Sequence, residues 1–167
     1  MTAIDPDSPQ ARYQALLGRV RSLQLATVDA EGRPRASYAP FLQRDNDACF
    51  YVFISQLSGH TRDLLNNRAA SVMLIEDEAE ASQLFARNRA SYECSVDIVE
   101  YDQDDYEGLL DAMSERFGSI VEMLRSLPDF VLFRLKPESG RFIMGFGQAF
   151  ELSGEPMRTL TQVKPGQ

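Results

Sequence analysis

Three short segments hold residue types that can do chemistry on an anionic ligand. The first is Ser58-Gly59-His60-Thr61-Arg62, where small polar residues run into a short helical pattern. Free N–H groups at a helix start, two hydroxyls, a permissive glycine and an arginine together can cradle a phosphate. The second is Arg33-Pro34-Arg35-Ala36-Ser37, in which Arg35 and Ser37 stand two residues apart and so face one side of a strand. The third is Gln83-Leu84-Phe85-Ala86-Arg87-Asn88-Arg89, offering an amide and two guanidinium groups. Each has a plainer reading as well: an N-capped surface helix, a solvated hairpin arginine, and surface charge facing the acidic residues Glu76, Asp77, Glu78 and Glu80.

His60 is the single histidine, so it is the one imidazole available as base, metal ligand or phosphate contact. The two cysteines, Cys49 and Cys94, are 45 positions apart and read as reduced, partly buried thiols. No residues have the spacing of a metal site, no Walker A or dinucleotide fingerprint occurs, and no G-x-S-x-G elbow accompanies the histidine. No side chain stands out as a catalytic acid or base. Gly145-Phe146-Gly147 marks a bulge or a close backbone approach instead.

The balance of 17 basic and 25 acidic residues gives a net charge of −8, which argues against a nucleic-acid partner. Any anionic ligand must therefore be held by a local group of arginines against an unfavourable overall field. No run of about 20 apolar residues offers a membrane span, and the acidic start of the chain does not resemble a signal peptide, so a cytoplasmic protein is expected. With 44% apolar residues over 167 positions, one domain with a real core is expected.

Elements able to position these segments follow from periodicity. Ser8-Pro9 caps a helix over 9–21, and alternation marks strands over 23–28, 35–42 and 49–54. A short helix follows Ser58, then a strand over 70–75, one or two helical turns over 81–86 and a long strand over 89–101. Apolar residues at helical spacing from Tyr106 to Leu124 are interrupted by Gly118. Strands over 130–135 and 141–152, joined by a turn at 137–140, complete a single domain over 1–152, with 153–167 a loose tail. Hairpin connections of this kind favour an antiparallel β-barrel with peripheral helices.

In order along the chain, the motifs are Arg35-x-Ser37, Ser55-x-x-Ser58-x-His60-Thr61-Arg62-x-Leu64, Glu76-Asp77-Glu78, Gln83-x-x-Ala86-Arg87-x-Arg89, Asp129-Phe130 and Gly145-Phe146-Gly147-x-Ala149. This ordered set resembles the pyridoxamine 5′-phosphate oxidase-like FMN-binding split-barrel superfamily over about residues 12–152, and within it the haem-utilisation branch of HugZ/HutZ type. The resemblance implies a mainly β split barrel that forms a homodimer, with a cofactor at the subunit interface and a small-molecule substrate. It implies that Arg35, Ser37, Ser58, Thr61 and Arg62 hold the FMN phosphate, with His60, Gln83, Arg87 and Arg89 close by. The haem-utilisation branch uses an axial histidine in its C-terminal segment, and no histidine follows Thr61 here. The expectation is therefore an FMN-dependent oxidoreductase, with a haem-binding, haem-utilisation protein as the alternative and a non-catalytic dimeric binding module as the second.

Overall fold

The computed structural model describes residues 5–164 and 166. It is mainly β, with an antiparallel sheet and four α-helices, as the alternation along the sequence predicts. Helix α1 (Pro9–Arg19) starts at Ser8, whose hydroxyl accepts from the Ala11 N–H, and proline occupies its first turn. Strands β1 (Ser22–Val28) and β2 (Pro34–Pro40) form a hairpin, followed by β3 (Phe50–Ser55), α2 (Gly59–Asn66) and β4 (Ala69–Ile75). A single 3-10 turn (Leu84–Ala86) leads into β5 (Arg89–Ile98). Helices α3 (Tyr106–Phe117) and α4 (Ile120–Arg125) are separated at Gly118. Strands β6 (Phe130–Ile143), β7 (Ala149–Ser153) and β8 (Thr159–Gln162) complete the chain.

The strands lie in the order β2-β1-β4-β5-β6-β7-β8, with β3 added to the first half of β6. β3 curls back towards the β2 end, but only an isolated bridge between Leu42 and Tyr51 spans the seam. The sheet is thus a split barrel rather than a closed one. Inside it, Leu23, Leu25, Phe50, Val72, Tyr92 and Phe133 are each at most 2% exposed. A second apolar cluster joins α3 and α4 to the outer side of β3 through Leu109, Leu110, Met113, Val121, Tyr51 and Leu132.

The strand expected over 141–152 is split between the end of β6 at Ile143 and β7, and two further expectations change. Residues 137–140 are not a turn: β6 runs straight through them as one 14-residue strand. Its register against β5 slips by one residue, with Cys94 opposite Pro137 and Glu93 opposite Ser139, so Glu138 is the extra residue of a bulge. A bulge is where a sheet tolerates proline. Gly140 follows because a Cβ there would lie 2.9 Å from Cδ1 of the buried Tyr92 ring. The second change concerns the segment after residue 152, expected to be loose: it supplies β8, which pairs with β7 from Ser153↔Thr159 to Phe150↔Gln162. A backbone ladder needs no apolar alternation, and β8 has none. No helix among the described residues is long and apolar enough to cross a membrane.

Candidate functional site

Alternation along β1 turns Leu23, Leu25 and Thr27 inwards together. Thr27 is a hydroxyl at a core position, 2% exposed, and a buried hydroxyl needs a partner. It donates to Oδ2 of Asp63 on α2 at 2.7 Å. Directly across the ladder from Thr27 is Arg35, whose Nε donates to the same Oδ2 at 2.8 Å. Burial alone would raise the Asp63 carboxyl, but the Thr27 and Arg35 hydrogen bonds and the Arg35 charge outweigh it and hold Asp63 below the usual carboxylate range.

Asp63 thereby draws Arg35 across the first turn of α2. A Cβ at Gly59 would fall 2.8 Å from Cζ of Arg35, so only glycine leaves room for the guanidinium where it lies. Around that turn, Ser58 is the N-cap residue yet accepts no capping bond with its side chain. Thr61 is fully buried, and its Oγ1 has no partner among the described residues. His60 is half-buried. Burial lowers its pKa, opposed by the Asp63 charge and reinforced by that of Arg35, so the imidazole is neutral at pH 7. Arg62 is exposed on the same turn, and Ser37 donates to the Leu25 carbonyl at 3.1 Å. Arg35, Ser37, Ser58, His60, Thr61 and Arg62 therefore share one region, with α2 bringing its residues to the β1–β2 hairpin.

Gln83, Arg87 and Arg89 do not join them. Oε1 of Gln83 caps the 3-10 turn at the Phe85 N–H, 3.2 Å away. Arg87 is tied into its own loop by Nε to the Glu76 carbonyl at 3.1 Å, by a second bond from Nη2 to that carbonyl, and by Glu78 at 3.4 Å. Arg89 donates to the Arg87 carbonyl at 3.1 Å. On β4, Ile75 pairs with Arg89, whereas Ser71 pairs with Ala26, next to the Thr27↔Arg35 rung. Arg89 thus stands about five residue steps along the sheet from Arg35, or about 16 Å before the strands between them are counted.

Asp63 and Thr27 are the site residues that reading the sequence missed. Their signal was present in outline: a threonine in phase with two inward leucines demands a polar partner. The helix beside that strand has one acid among its inward-facing residues, next to Leu64 and Thr61. The two cysteines are inert as nucleophiles, since burial first of all pushes each thiol up to about 12. No group of three or more potential metal ligands occurs among the described residues.

A concavity of about 1210 Å³ lies elsewhere, between α1 and the acidic loop after β4. Arg12, Arg19 and Arg21 line one part of it, and Glu76, Asp77 and Glu80 another.

Comparison with known proteins places this geometry. Residues 9–144 match the pyridoxamine 5′-phosphate oxidase family. A curated relative, heme oxygenase HutZ of Vibrio cholerae, is 47% identical over 146 residues, covering 87% of this chain and 82% of that protein. A crystal structure of HutZ, described as the heme storage protein from Vibrio cholerae, superposes with a TM-score of 0.74 at 43% identity, covering 80% of this chain and 92% of that one. Campylobacter jejuni ChuZ superposes with a TM-score of 0.80 at 27% identity, covering 93% of this chain and 64% of that one. These relatives overturn the expectation of an FMN-dependent oxidoreductase, because a protein 47% identical over most of the chain is named for haem. The strand arginine of the motif, Arg35, carries an ion pair to Asp63 here. The chain belongs to the pyridoxamine 5′-phosphate oxidase-like split-barrel family, on its haem-utilisation branch.

Proposed function

We propose that this protein binds haem and degrades it as a haem oxygenase. The observation that carries this reading is the 47% identity to heme oxygenase HutZ over 87% of the chain. Haem, when bound, supplies the iron that activates oxygen and is itself the molecule consumed. The residues of this chain suit such a ligand. Haem has an iron that favours a neutral imidazole and two carboxylates that favour arginine. His60 is an imidazole kept neutral by burial, one turn of helix from the Arg35–Asp63 pair. In this reading His60 would serve the iron, while Arg35, Arg62 and the open N–H group at Gly59 would hold a propionate. The partnerless Thr61 hydroxyl supports a polar ligand group at this turn.

The same reading has two copies of the chain completing the site as a homodimer. Its support is the separation of Arg89 from the Arg35 region, which one copy does not bridge. Exposed apolar side chains close to Arg89 add to it: Leu84 and Phe85 precede Arg89, and Phe146 follows Ile143, its ladder partner.

The test is a haemin titration of the purified protein, followed by ascorbate in air. A saturable Soret band that decays with reductant supports the reading, and His60→Ala shifts that band. A Soret band that persists under reductant leaves haem binding without degradation. No Soret change on adding haemin, or FMN that survives desalting, overturns the proposal. Sedimentation at several concentrations checks the dimer.

A further inference from the structure

Where α3 ends against the start of β1, two arginines hold each other's backbone. Arg21 donates from Nη2 to the Arg116 carbonyl, and Arg116 donates from Nη2 to the Val20 carbonyl at 3.1 Å. Both guanidinium carbons stand over the Phe117 ring, 5.2 Å and 5.4 Å from its centre, and that of Arg116 is also 5.4 Å from the centre of Phe41. Cation–π contacts of this kind help hold the pair.

What the pair lacks is an acid. Several other arginines find one: Arg35 has Asp63, Arg87 has Glu78, Arg134 has Asp105, and Arg125 has three. Among the described residues neither Arg21 nor Arg116 forms an ion pair with any carboxylate, in a chain with eight more acids than bases. A guanidinium has five N–H donors. Arg21 uses one of its five in the clasp and Arg116 one, and Nε of Arg116 is buried with no partner among the described residues. Burial first, and then the charge of Arg21, lower the pKa of Arg116, which marks two cations crowded without compensation. Such a group is costly unless an anion completes it.

We propose that Arg21 and Arg116 bind a phosphate-class oxyanion, with the Phe117 ring as the floor of the site. Two forked donors and two positive charges match a tetrahedral dianion, whereas a single carboxylate satisfies only one fork. An anion has access at Arg21, which is exposed and lines the 1210 Å³ groove. Of the groove's acids, Asp7 is paired with Arg12, Glu80 with Arg19 and Glu78 with Arg87, and Glu76 is bonded to Asn88. Among the described residues, Arg21 is the one cation lining the groove that has no carboxylate partner. The site is distinct from the Arg35–His60 region, because Arg21 adjoins the Ser22↔Pro40 rung and Arg35 stands at Thr27↔Arg35, five rungs along the hairpin. It therefore stands or falls without the haem reading.

The experiment titrates inorganic phosphate into the full chain at constant ionic strength, with chloride as the balancing ion. The readouts are the melting temperature and the Nε–Hε NMR signal of Arg116. Saturable shifts in both are expected. Arg21→Gln, an exposed change, weakens the apparent affinity at least tenfold, while Arg141→Gln on the outer sheet face binds as the parent does. Arg116→Lys keeps the charge but loses the fork, and also weakens binding. Glycerol 3-phosphate in place of phosphate separates the sources: tighter binding by the ester points to a phosphorylated metabolite, tighter binding by the free ion to phosphate itself, and either upholds the site. No effect beyond chloride, equal affinity in Arg21→Gln, or acetate binding as tightly as phosphate overturns the proposal. None of these readouts uses haem, so failure here is separable from failure of the haem titration.

Discussion

Thr27 and Arg35 face each other across the β1–β2 ladder and reach one acceptor, Oδ2 of Asp63, at 2.7 Å and 2.8 Å. A single carboxylate oxygen on α2 therefore links a buried hydroxyl, an exposed cation and the first turn of a helix. Removing the charge is expected to leave Thr27 poorly satisfied in the core. Asp63→Asn lowers the unfolding free energy at pH 7 by about 1–3 kcal/mol. The pH sign is fixed by the depressed pKa of Asp63. Its contribution is full above the ordinary carboxylate value of 3.8 and is lost as pH falls through the lower folded value. Urea denaturation at pH 7 and near pH 3 checks both statements, and equal midpoints for parent and variant at pH 7 would contradict them.

Gly59→Ala separates position from stability. The new methyl meets only the far end of the flexible Arg35 side chain, at 2.8 Å from Cζ and 2.9 Å from Nη1. Arg35 moves aside, so stability is expected to stay within about 0.5 kcal/mol of the parent. Under the haem reading, affinity for haemin falls several-fold. A large loss of melting temperature would show that the Arg35 position is rigidly built into the fold.

His60 sets a pH dependence of opposite origin to Asp63 but the same direction. Its folded pKa lies below the ordinary 6.5 because burial penalises the imidazolium. The unfolded chain then binds the proton first, so stability falls as pH drops from 6.5 towards the lower folded value and is flat above it. His60→Gln should flatten that window in thermal melts recorded between pH 5 and pH 8. A variant with an unchanged slope would assign the window to another group.

The buried phenols of Tyr13 and Tyr92 predict an asymmetry. Their hydroxyls are 2.7 Å apart, and Tyr13 also donates to the Met157 carbonyl at 3.1 Å. Tyr92→Phe leaves Tyr13 with that carbonyl and is expected to cost about 0.5–1.5 kcal/mol. Tyr13→Phe strands the Tyr92 hydroxyl in the core and should cost about 1–3 kcal/mol. Chemical denaturation of the two variants ranks them, and the reverse order would place the second acceptor on Tyr92.

Much of the frame is legible in the sequence. Leu23, Leu25 and Thr27 announce an inward face, Ser8-Pro9 starts α1, and Gly118 divides α3 from α4. Pro137 misleads because Pro-x-x-Gly has the composition of a turn, and only the partner strand β5 shows that a bulge absorbs it. β8 leaves no periodic signal because backbone pairing to β7 defines it. Arg35, Ser58, His60, Thr61 and Arg62 are readable as a group, since four of them are contiguous or nearly so. Asp63 is not, because its role exists only once Thr27 and Arg35 arrive from another part of the chain. The identity of the ligand is equally illegible: arginines near a helix start suit a phosphate or a propionate, and the motifs alone do not separate the two.

The unbroken course of β6 bears on how the molecule opens. Residues 133–135 are bonded to β5 on one edge and β3 on the other, and residues 140–143 to β5 and β7. Detaching β3 or β7 leaves β6 still zipped to β5 from Phe133 to Ile143. The two ends of the strand order, β2 and β8, each have a single neighbour. In hydrogen–deuterium exchange, β6 amides should therefore be the slowest class, exchanging only when the whole sheet comes apart, while β2 and β8 label through local fraying.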